Sequence, residues 1–186
     1  MKRVTRRLLG TAFGDYRINW IFAADRPAPL PLSAGETIGP VDAALAARIA
    51  ASPTGRMRNS LGYGEAGMTG LALIRDGQPL CVAHLAGPAH YDRAGTWPLH
   101  PGELALMDVV TEDAARGHGL APRLIAATTR AMLTGDTRRT IAFVWWSNTP
   151  SIRAFAKAGW RRIGFSIEWR MAGRSWHLHV PLPGRR

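Results

Sequence analysis

Cysteine is almost absent from this sequence, which contains Cys81 alone. A single cysteine cannot form a disulfide within the chain, so a disulfide-stapled scaffold is excluded and a reducing, cytoplasmic compartment is expected. Cys81 lies in an apolar run, where a small buried side chain is a commoner role than a catalytic thiol. Long apolar runs are also missing, because the uncharged stretch 140–152 falls short of the about 20 residues that cross a bilayer. We therefore expect no transmembrane segment.

Acidic residues are scarce, with 13 Asp and Glu against 24 Lys and Arg, which gives a net charge of +11. Lysine occurs only at Lys2 and Lys157, so the positive charge is mostly arginine, which suits planar recognition of phosphate and carboxylate. Residues 137–186 contain the single acid Glu168. A nucleic-acid face, a membrane-surface face and a dock for a polyanionic cofactor all remain open, beside plain solvated arginines.

Repeats and low-complexity tracts are also absent, and 186 residues with 46% hydrophobic side chains suit one globular domain. We expect that domain to span 1–186. The basic segment 1–9 has too short an apolar run after it for a persuasive signal peptide, so we expect it to belong to the fold as a short basic helix.

Hydrophobic periodicity and turn residues predict an alternation of strands and helices. Asp76-Gly77 favours a tight hairpin turn, and 103–111 is apolar on both faces, as in a central strand covered on both sides. Thr149 is predicted to cap a helix that has Pro150 in its first position. The Gly-rich stretch 52–70 predicts a mobile loop or helix fragments that border a site. Strands are predicted at 16–24, 71–74, 80–85, 103–111, 140–146, 161–171 and 175–181, and helices at 41–51, 120–133 and 149–158. This order implies a mixed α/β sheet covered on both faces.

A glycine-rich loop, 116–121, joins the central strand to the helix that follows it. Backbone N–H groups and the helix dipole converge on an anion at such a position, and Gly117 and Gly119 permit close approach to phosphate oxygens. No Lys-Ser/Thr pair follows, so the loop is not a Walker loop, and no third glycine completes a dinucleotide fingerprint. A plain glycine-rich turn is the alternative.

Two ordered motifs resemble the GNAT superfamily of acetyl-CoA-dependent N-acetyltransferases. The first is Arg116-Gly117-His118-Gly119-Leu120-Ala121 with the strand end before it, similar to the pyrophosphate-binding motif of that family. The second resembles the family's later helix motif, and it comprises Asn148, Ser151, Ile152, Phe155, Lys157, Gly159 and Trp160. The resemblance is strongest over 103–160. It implies an α+β domain with a central mixed, mostly antiparallel sheet and helices on both faces.

The resemblance also implies roles for individual residues. Val109, Val110 and Thr111 would pair with the pantetheine arm of coenzyme A through their backbone groups. Residues 117–121, which include His118, Leu120 and Ala121, would give N–H groups to the pyrophosphate, and Arg116 would add charge. Asn148 would reach the pantetheine from the opposite side of the cleft, with Ser151 and Phe155 on the same helix.

Two acidic residues are candidates for the base that deprotonates the amine. Glu103 lies thirteen residues before Arg116, the spacing of the general-base glutamate in the histone-acetylating branch that this strand resembles. A solvated glutamate at a strand start is the alternative. Asp108 is the second candidate, because an acid within an apolar strand is costly unless it is functional or paired with an arginine.

Phe155 departs from the family pattern, which places a tyrosine there to protonate the leaving thiolate. The thiolate would leave unassisted or take a proton from water, Ser151 or Tyr63. The histidines show no metal-ligand pattern, so we expect no metal.

The expected function is acetyl transfer from acetyl-CoA to a primary amine of a small molecule or protein, by direct attack in a ternary complex. A non-catalytic acyl-CoA sensor and a basic nucleic-acid-binding domain, with Trp145, Trp146, Trp169 and Trp176 as stacking platforms, are the alternatives. Nucleic acid is the less expected partner, and a homodimer is left open. The resemblance implies an acceptor pocket built from 52–70 and 166–176. Its excess of cationic groups disfavours polycationic acceptors and favours an amine with a carboxylate or phosphate, or a protein amine.

Overall fold

A computed structural model of the protein describes residues 15–91, 97–171 and 174–183, so the predicted basic helix over 1–9 lies outside the described residues. The described strands are β1 (Asp15–Ala24), β2 (Glu36–Pro40), β3 (Thr69–Arg75), β4 (Gln78–Ala86), β5 (Glu103–Thr111), β6 (Arg139–Trp145), β7 (Arg161–Met171) and β8 (Arg174–Pro181). The described helices are α1 (Ala43–Ala50), α2 (Gly55–Asn59), α3 (Leu61–Glu65), α4 (Leu120–Met132) and α5 (Thr149–Lys157).

The strands form one sheet in the order β2-β3-β4-β5-β6-β1-β7-β8. The neighbours β5 and β6 are parallel, and the other neighbouring strands are antiparallel. The expected mixed, mostly antiparallel sheet is therefore confirmed. Its parallel junction joins the two halves of the sheet at the centre.

Helices cover both faces of the sheet. Leu124 and Ile125 of α4 and Phe155 of α5 share one buried cluster with Cys81 of β4. Leu45 and Ile49 of α1 and Met57 of α2 are buried on the other face with Val82 and Val110. Apolar residues thus face both layers along β5, which is why its sequence lacks the alternation of a half-exposed strand.

The structure confirms the predicted hairpin turn, corrects the predicted helix cap, and adds a strand that the sequence patterns do not indicate. The β3–β4 turn has φ of 50° at Asp76 and 73° at Gly77, as a two-residue hairpin turn requires. The cap of α5 is Asn148, not Thr149, because the Asn148 side chain accepts a hydrogen bond from the backbone N–H of Ser151. The edge strand β2 was not predicted, since its five residues contain Gly39 and Pro40 and show no clear alternation.

Candidate functional site

The site begins where the two central strands separate. Strands β5 and β6 pair from Glu103 opposite Arg139 to Leu106 opposite Ala142. Beyond that point β5 continues to Thr111 without β6 beside it. Met107 is skipped in the pairing of β5 with β4, so the strand bulges as it leaves its neighbour. Separation and bulge together open a wedge in the sheet, in which 107–111 have no strand neighbour on the β6 side.

An outer cleft of about 430 Å³ occupies the mouth of this wedge. The strand end, the glycine loop and α5 each supply one wall. Its lining includes Arg56, Val109, Val110, Thr111, Arg116, Gly117, Gly119, Leu120, Ala121, Asn148 and Ser151. The structure thus brings together ten of the residues that the sequence predicted for coenzyme A. His118 does not line the cleft, since it is exposed and its ring Nδ1 lies 3.3 Å from the carbonyl oxygen of Ala115.

The glycine loop presents uncapped backbone at the start of α4. Gly117 and Gly119 have φ of 86° and 71°, a conformation that favours glycine. Gly119 is the N-cap of α4, and no side chain caps the helix there. A β-carbon at Gly119 would lie 3.8 Å from Arg123 Nη1 and 3.9 Å from Lys157 Nζ, so two cations flank the loop. Free N–H groups, the positive helix end and these cations could hold a phosphate-bearing ligand.

Arg116 forms an ion pair at the rim of the outer cleft. Its guanidinium pairs with Asp113 at 2.6 Å, and both side chains are more than half exposed. The pair stands at the rim of the outer cleft, where solvent weakens it. Arg116 is therefore able to exchange this partner for an anion in the cleft.

A network that the sequence did not reveal fixes the far rim of the cleft. Glu112 accepts hydrogen bonds of 2.6 Å from the hydroxyls of both Ser52 and Thr54, and Thr54 Oγ1 accepts the backbone N–H of Asp113. These bonds tie the start of α2 to the end of β5. Arg56, in the first turn of α2, lines both the outer cleft and the space behind it as a result. No local pattern could have indicated bonds between segments so distant in the sequence.

A second network anchors α4. The Glu36 carboxylate is fully buried and accepts hydrogen bonds from Arg75 at 2.6 Å and from Arg123 at 2.8 Å. Burial alone would raise its pKa, but the Ser33 N–H and the two arginines together hold the pKa of Glu36 below its usual value. The edge strand β2 thereby fixes the first turns of α4, and with them the glycine loop.

A smaller inner cleft of about 110 Å³ lies deeper in the wedge. Met107, Asp108, Phe143 and Trp145 line it from the two strands, and Asn148, Ser151 and Phe155 line it from α5. Asp108 is half-buried and stands opposite His84 in the β4–β5 register. Asn148 and Ser151 reach both clefts, so inner and outer clefts form one continuous site.

Glu103 is not brought into either cleft. It is 4% exposed, it is bonded to the Arg139 guanidinium, with Arg139 Nε 2.7 Å away, and it accepts the backbone N–H of His100 at 2.9 Å. It stands four residues before Met107, roughly 13 Å along the strand, at the end where β5 and β6 are paired. Glu103 does lie thirteen residues before Arg116 in the sequence. In this fold, however, that spacing places Glu103 at the closed end of the wedge, where β5 and β6 are paired.

His84 is a buried outlier beside the site. It is 1% exposed, its ring stacks on Tyr63 at 5.6 Å, and its Nδ1 has no hydrogen-bond partner among the described residues. Burial lowers its pKa from 6.5 to about 4, so the imidazole is neutral at pH 7. It also lines a cavity of about 400 Å³ whose walls include Asp42 and Glu65.

The Cys81 side chain lines neither cleft. Its thiol is fully buried and lies 3.1 Å from Thr111 Oγ1, and burial raises the pKa of Cys81 to about 12. A thiol in that state forms almost no nucleophilic thiolate at neutral pH. Within the described part of the chain, no group of three or more His, Cys, Asp or Glu side chains could hold a metal ion.

Comparisons with known proteins agree with this architecture. The family model described as FR47-like protein matches residues 89–170. A protein from Novosphingobium aromaticivorans assigned to the GNAT family of acetyltransferases is similar in structure, with a TM-score of 0.57, 19% identity and coverage of 82% of this chain and 63% of that one. An acetyltransferase of the GNAT family from Colwellia psychrerythraea gives a TM-score of 0.57, 15% identity and coverage of 89% and 61%. The chain therefore shares the fold of these solved acetyltransferases.

The likeness to solved GNAT structures is one of fold. The chain spans about six tenths of the length of the solved structures that it matches first. A functionally unknown protein from Staphylococcus epidermidis also shares the fold, with a TM-score of 0.59, 11% identity and coverage of 97% and 68%. No curated protein sequence matches the chain. Over 15–91, 97–171 and 174–183, no helix is long and apolar enough to cross a membrane.

Proposed function

We propose that the protein is an acetyl-CoA-dependent N-acetyltransferase that acts on a primary amine, with residues 1–186 forming one such domain. The observation that carries the proposal is the wedge between β5 and β6, which opens directly onto the uncapped glycine loop of α4. A wedge that leaves 107–111 without a strand neighbour on the β6 side suits an extended amide-bearing arm, and the loop suits a pyrophosphate. The GNAT fold supports this assignment.

In this proposal the N–H groups of 117–121 bind the pyrophosphate. Arg116, Arg123 and Lys157 add positive charge around it, since the last two flank Gly119. The backbone of 109–111 hydrogen-bonds the pantetheine arm, and Asn148 approaches it from the α5 side. The thioester then lies in the inner cleft beside Met107 and Asp108.

Asp108 is the proton acceptor that we propose for the amine. It lines the inner cleft, whereas Glu103 is neutralised by Arg139 at the closed end of the wedge. Once the ammonium has lost its proton to the carboxylate, directly or through water, the nitrogen lone pair attacks the thioester carbon and the C–S bond breaks. The nitrogen then releases its remaining excess proton to water, and the acetamide and the thiolate of coenzyme A are the products.

The thiolate has no phenolic proton donor at the position of Phe155. That ring is 6% exposed and packs between Phe22 and Trp160, with ring centroids 5.6 Å and 4.9 Å away. Ser151 lines both clefts and is the hydroxyl available on the same helix, together with water. The burial of Cys81 supports direct transfer over an acyl-enzyme route.

Coenzyme A titrated calorimetrically into the wild type and into Gly119→Ala tests the binding step. Gly35→Ala is a matched control, because Gly35 also has a positive φ, of 76°, and open space around it. Both substitutions cost roughly 1 kcal/mol of backbone strain, but only Gly119→Ala places a methyl group at the cleft. We expect Gly119→Ala to weaken binding about tenfold and Gly35→Ala to leave it unchanged. Equal affinities for all three proteins would refute the proposed cofactor site.

Phe155 also favours a second candidate, a coenzyme A-binding sensor without turnover. Release of free thiol from acetyl-CoA, measured over a panel of amino acids, amino sugars, polyamines and peptides, separates the two. A sensor binds the thioester tightly and releases no thiol with any amine. The proposed transferase releases thiol with at least one acceptor class and with retention of Cys81 in its unacetylated form.

A further inference from the structure

The sheet beyond the inner cleft presents a polar face where a packed sheet would present an apolar one. Trp145, Asn19, Ser166 and His179 stand opposite one another across β6, β1, β7 and β8. The next row on the same face contains Arg17, Glu168 and His177. Directly opposed residues of antiparallel strands point to the same side, so six polar side chains share this surface with one tryptophan.

A groove of about 630 Å³ runs over the second row and reaches Trp145 of the first. Its lining comprises Tyr16, Arg17, Trp145, Glu168, Trp169, Arg170, Ser175 and His177. Trp145 also lines the inner cleft beside Asp108, so the groove and the inner cleft share a wall. A molecule in the groove therefore lies against a residue that also borders the proposed reaction centre.

The charges of the groove favour an anionic group at its far end. Arg17 and Arg170 both line it, and Glu168 is the one carboxylate among its lining residues. Arg17 is 57% exposed and lies 4.0 Å from Glu168, a contact too loose to occupy its guanidinium. Two guanidinium groups suit bidentate recognition of a carboxylate, and the tryptophan walls suit a planar backbone.

Spacing along the strands sets the length of the occupant. Phe143, which lines the inner cleft, stands opposite Ile21, and Arg17 follows four residues away on β1. Four strand residues span roughly 13 Å, and an arginine side chain reaches back by a few ångströms, which leaves about 10 Å between amine and anion. Between them lie Asn19 Nδ2 and Ser166 Oγ, both buried and without partners among the described residues.

We propose that this groove binds the acceptor, and that the acceptor is an extended, peptide-like amine with a carboxylate about 10 Å from its nitrogen. The inference rests on the proposed acetyltransferase function and adds the substrate class. The amine lies at Asp108, the chain runs past Trp145, and the carboxylate binds Arg17 and Arg170. A single amino acid is too short to satisfy both ends.

A length series of glycine peptides tests the spacing. Kinetics with acetyl-CoA are measured for glycine, diglycine, triglycine and tetraglycine, each with a free and an amidated C-terminus. An extended residue spans about 3.3 Å, so kcat/KM is expected to peak at triglycine, and amidation of that peptide is expected to lower it at least tenfold. A maximum at free glycine, or equal values for the acid and the amide, overturns the inference.

Arginine variants test the residues. Arg17→Gln and Arg170→Gln are each expected to reduce the preference for free over amidated triglycine about tenfold, with Arg170→Lys restoring part of it. Arg174→Gln is the matched control, since Arg174 is exposed on the same strand pair but does not line the groove. An equal loss in Arg174→Gln contradicts the assignment, because it would reflect net charge alone.

Binding without turnover separates this inference from the proposed function. Triglycine is titrated into the coenzyme A-loaded protein, and tryptophan fluorescence reports occupancy beside Trp145 and Trp169. Binding that is lost in the Arg17→Gln, Arg170→Gln double variant supports the groove even if no thiol is ever released, and then only the transferase proposal fails. Thiol release with other amines but no triglycine binding refutes the groove and leaves the transferase standing.

Discussion

The two ends of β5 carry the same kind of side chain in opposite circumstances. At the paired end, Glu103 is enclosed by Arg139 and a backbone N–H, and it lines neither cleft. At the separated end, Asp108 borders a cleft that reaches the glycine loop through Asn148 and Ser151. Residue type therefore does not decide which carboxylate borders a cleft. The extent of pairing with the neighbouring strand decides it.

Asp108→Asn is expected to produce the largest effect. Loss of the proton acceptor should reduce kcat about a thousandfold at neutral pH, within the usual range for a general base, while coenzyme A binding stays within twofold. Stopped assays of thiol release and calorimetry on the same samples measure both quantities. Unchanged turnover in Asp108→Asn, together with its loss in folded Glu103→Gln, would reverse the assignment of the two ends.

His84, opposite Asp108 at the separated end, predicts a pH effect on stability. Its folded pKa is about 4 and its unfolded pKa about 6.5, so the unfolded chain binds the proton first as the pH falls. The free energy of unfolding is therefore highest above pH 6.5, where His84 is neutral in both states. It declines by about 3 kcal/mol in total as the pH falls to 4. Asp108, Tyr63 and Glu65 face the same region and are present in both proteins, so their contributions cancel in the difference between wild type and variant.

Urea unfolding from pH 7 to pH 4 for the wild type and His84→Gln isolates this contribution as the difference between two curves. The wild type is expected to lose more free energy of unfolding than the variant across that interval. Parallel curves would mean that His84 keeps an ordinary pKa in the folded protein.

Glu103→Gln sharpens the comparison at the paired end. Removal of the carboxylate leaves Arg139, which is about one third exposed, without its partner, and the expected cost is about 2 kcal/mol of stability. Turnover per folded molecule should stay within threefold of wild type. Thermal unfolding checks the first expectation, and kcat at a temperature where both proteins are folded checks the second.

Phe155→Tyr is expected to give the smallest change. A phenolic hydroxyl on the ring that lines the inner cleft would supply a proton to the departing thiolate and raise kcat a few-fold, because a phenol is a stronger acid than the Ser151 hydroxyl or water. The comparison is made at saturating acetyl-CoA with the same acceptor. A lowered kcat with normal folding would show that the ring edge serves packing against Trp160 and that protonation does not limit the rate.

Much of the fold could be predicted from patterns among residues that are close together in the sequence. The Asp76-Gly77 turn, the doubly apolar strand 103–111 and the glycine loop each depend on neighbours in the sequence, and each appears where the residues indicate. Strand β2 could not be found in this way. It is held by β3 and by the bonds of Glu36 to Arg75 and Arg123, which lie far away in the chain.

The placement of the candidate site residues could be predicted to the same degree. Residues within one continuous motif assembled at the outer cleft, because a strand, a turn and a helix fix their mutual geometry. Glu103 and Arg56 depended instead on pairing between segments: the β6 ladder encloses the first, and the Glu112 network positions the second. The polar rows over β1 and β7 are likewise visible only once the register is known.

The sheet order has a further consequence, for the way the protein is made. Strand β1 lies between β6 and β7, both of which are synthesised much later. Its apolar segment, which includes Trp20, Ile21 and Phe22, has no strand partner until most of the described chain has left the ribosome. Contacts of such long sequence separation form slowly and leave an unpaired edge open to aggregation in the meantime. The half-sheet that carries the groove can therefore assemble only after β6 and β7 have been synthesised.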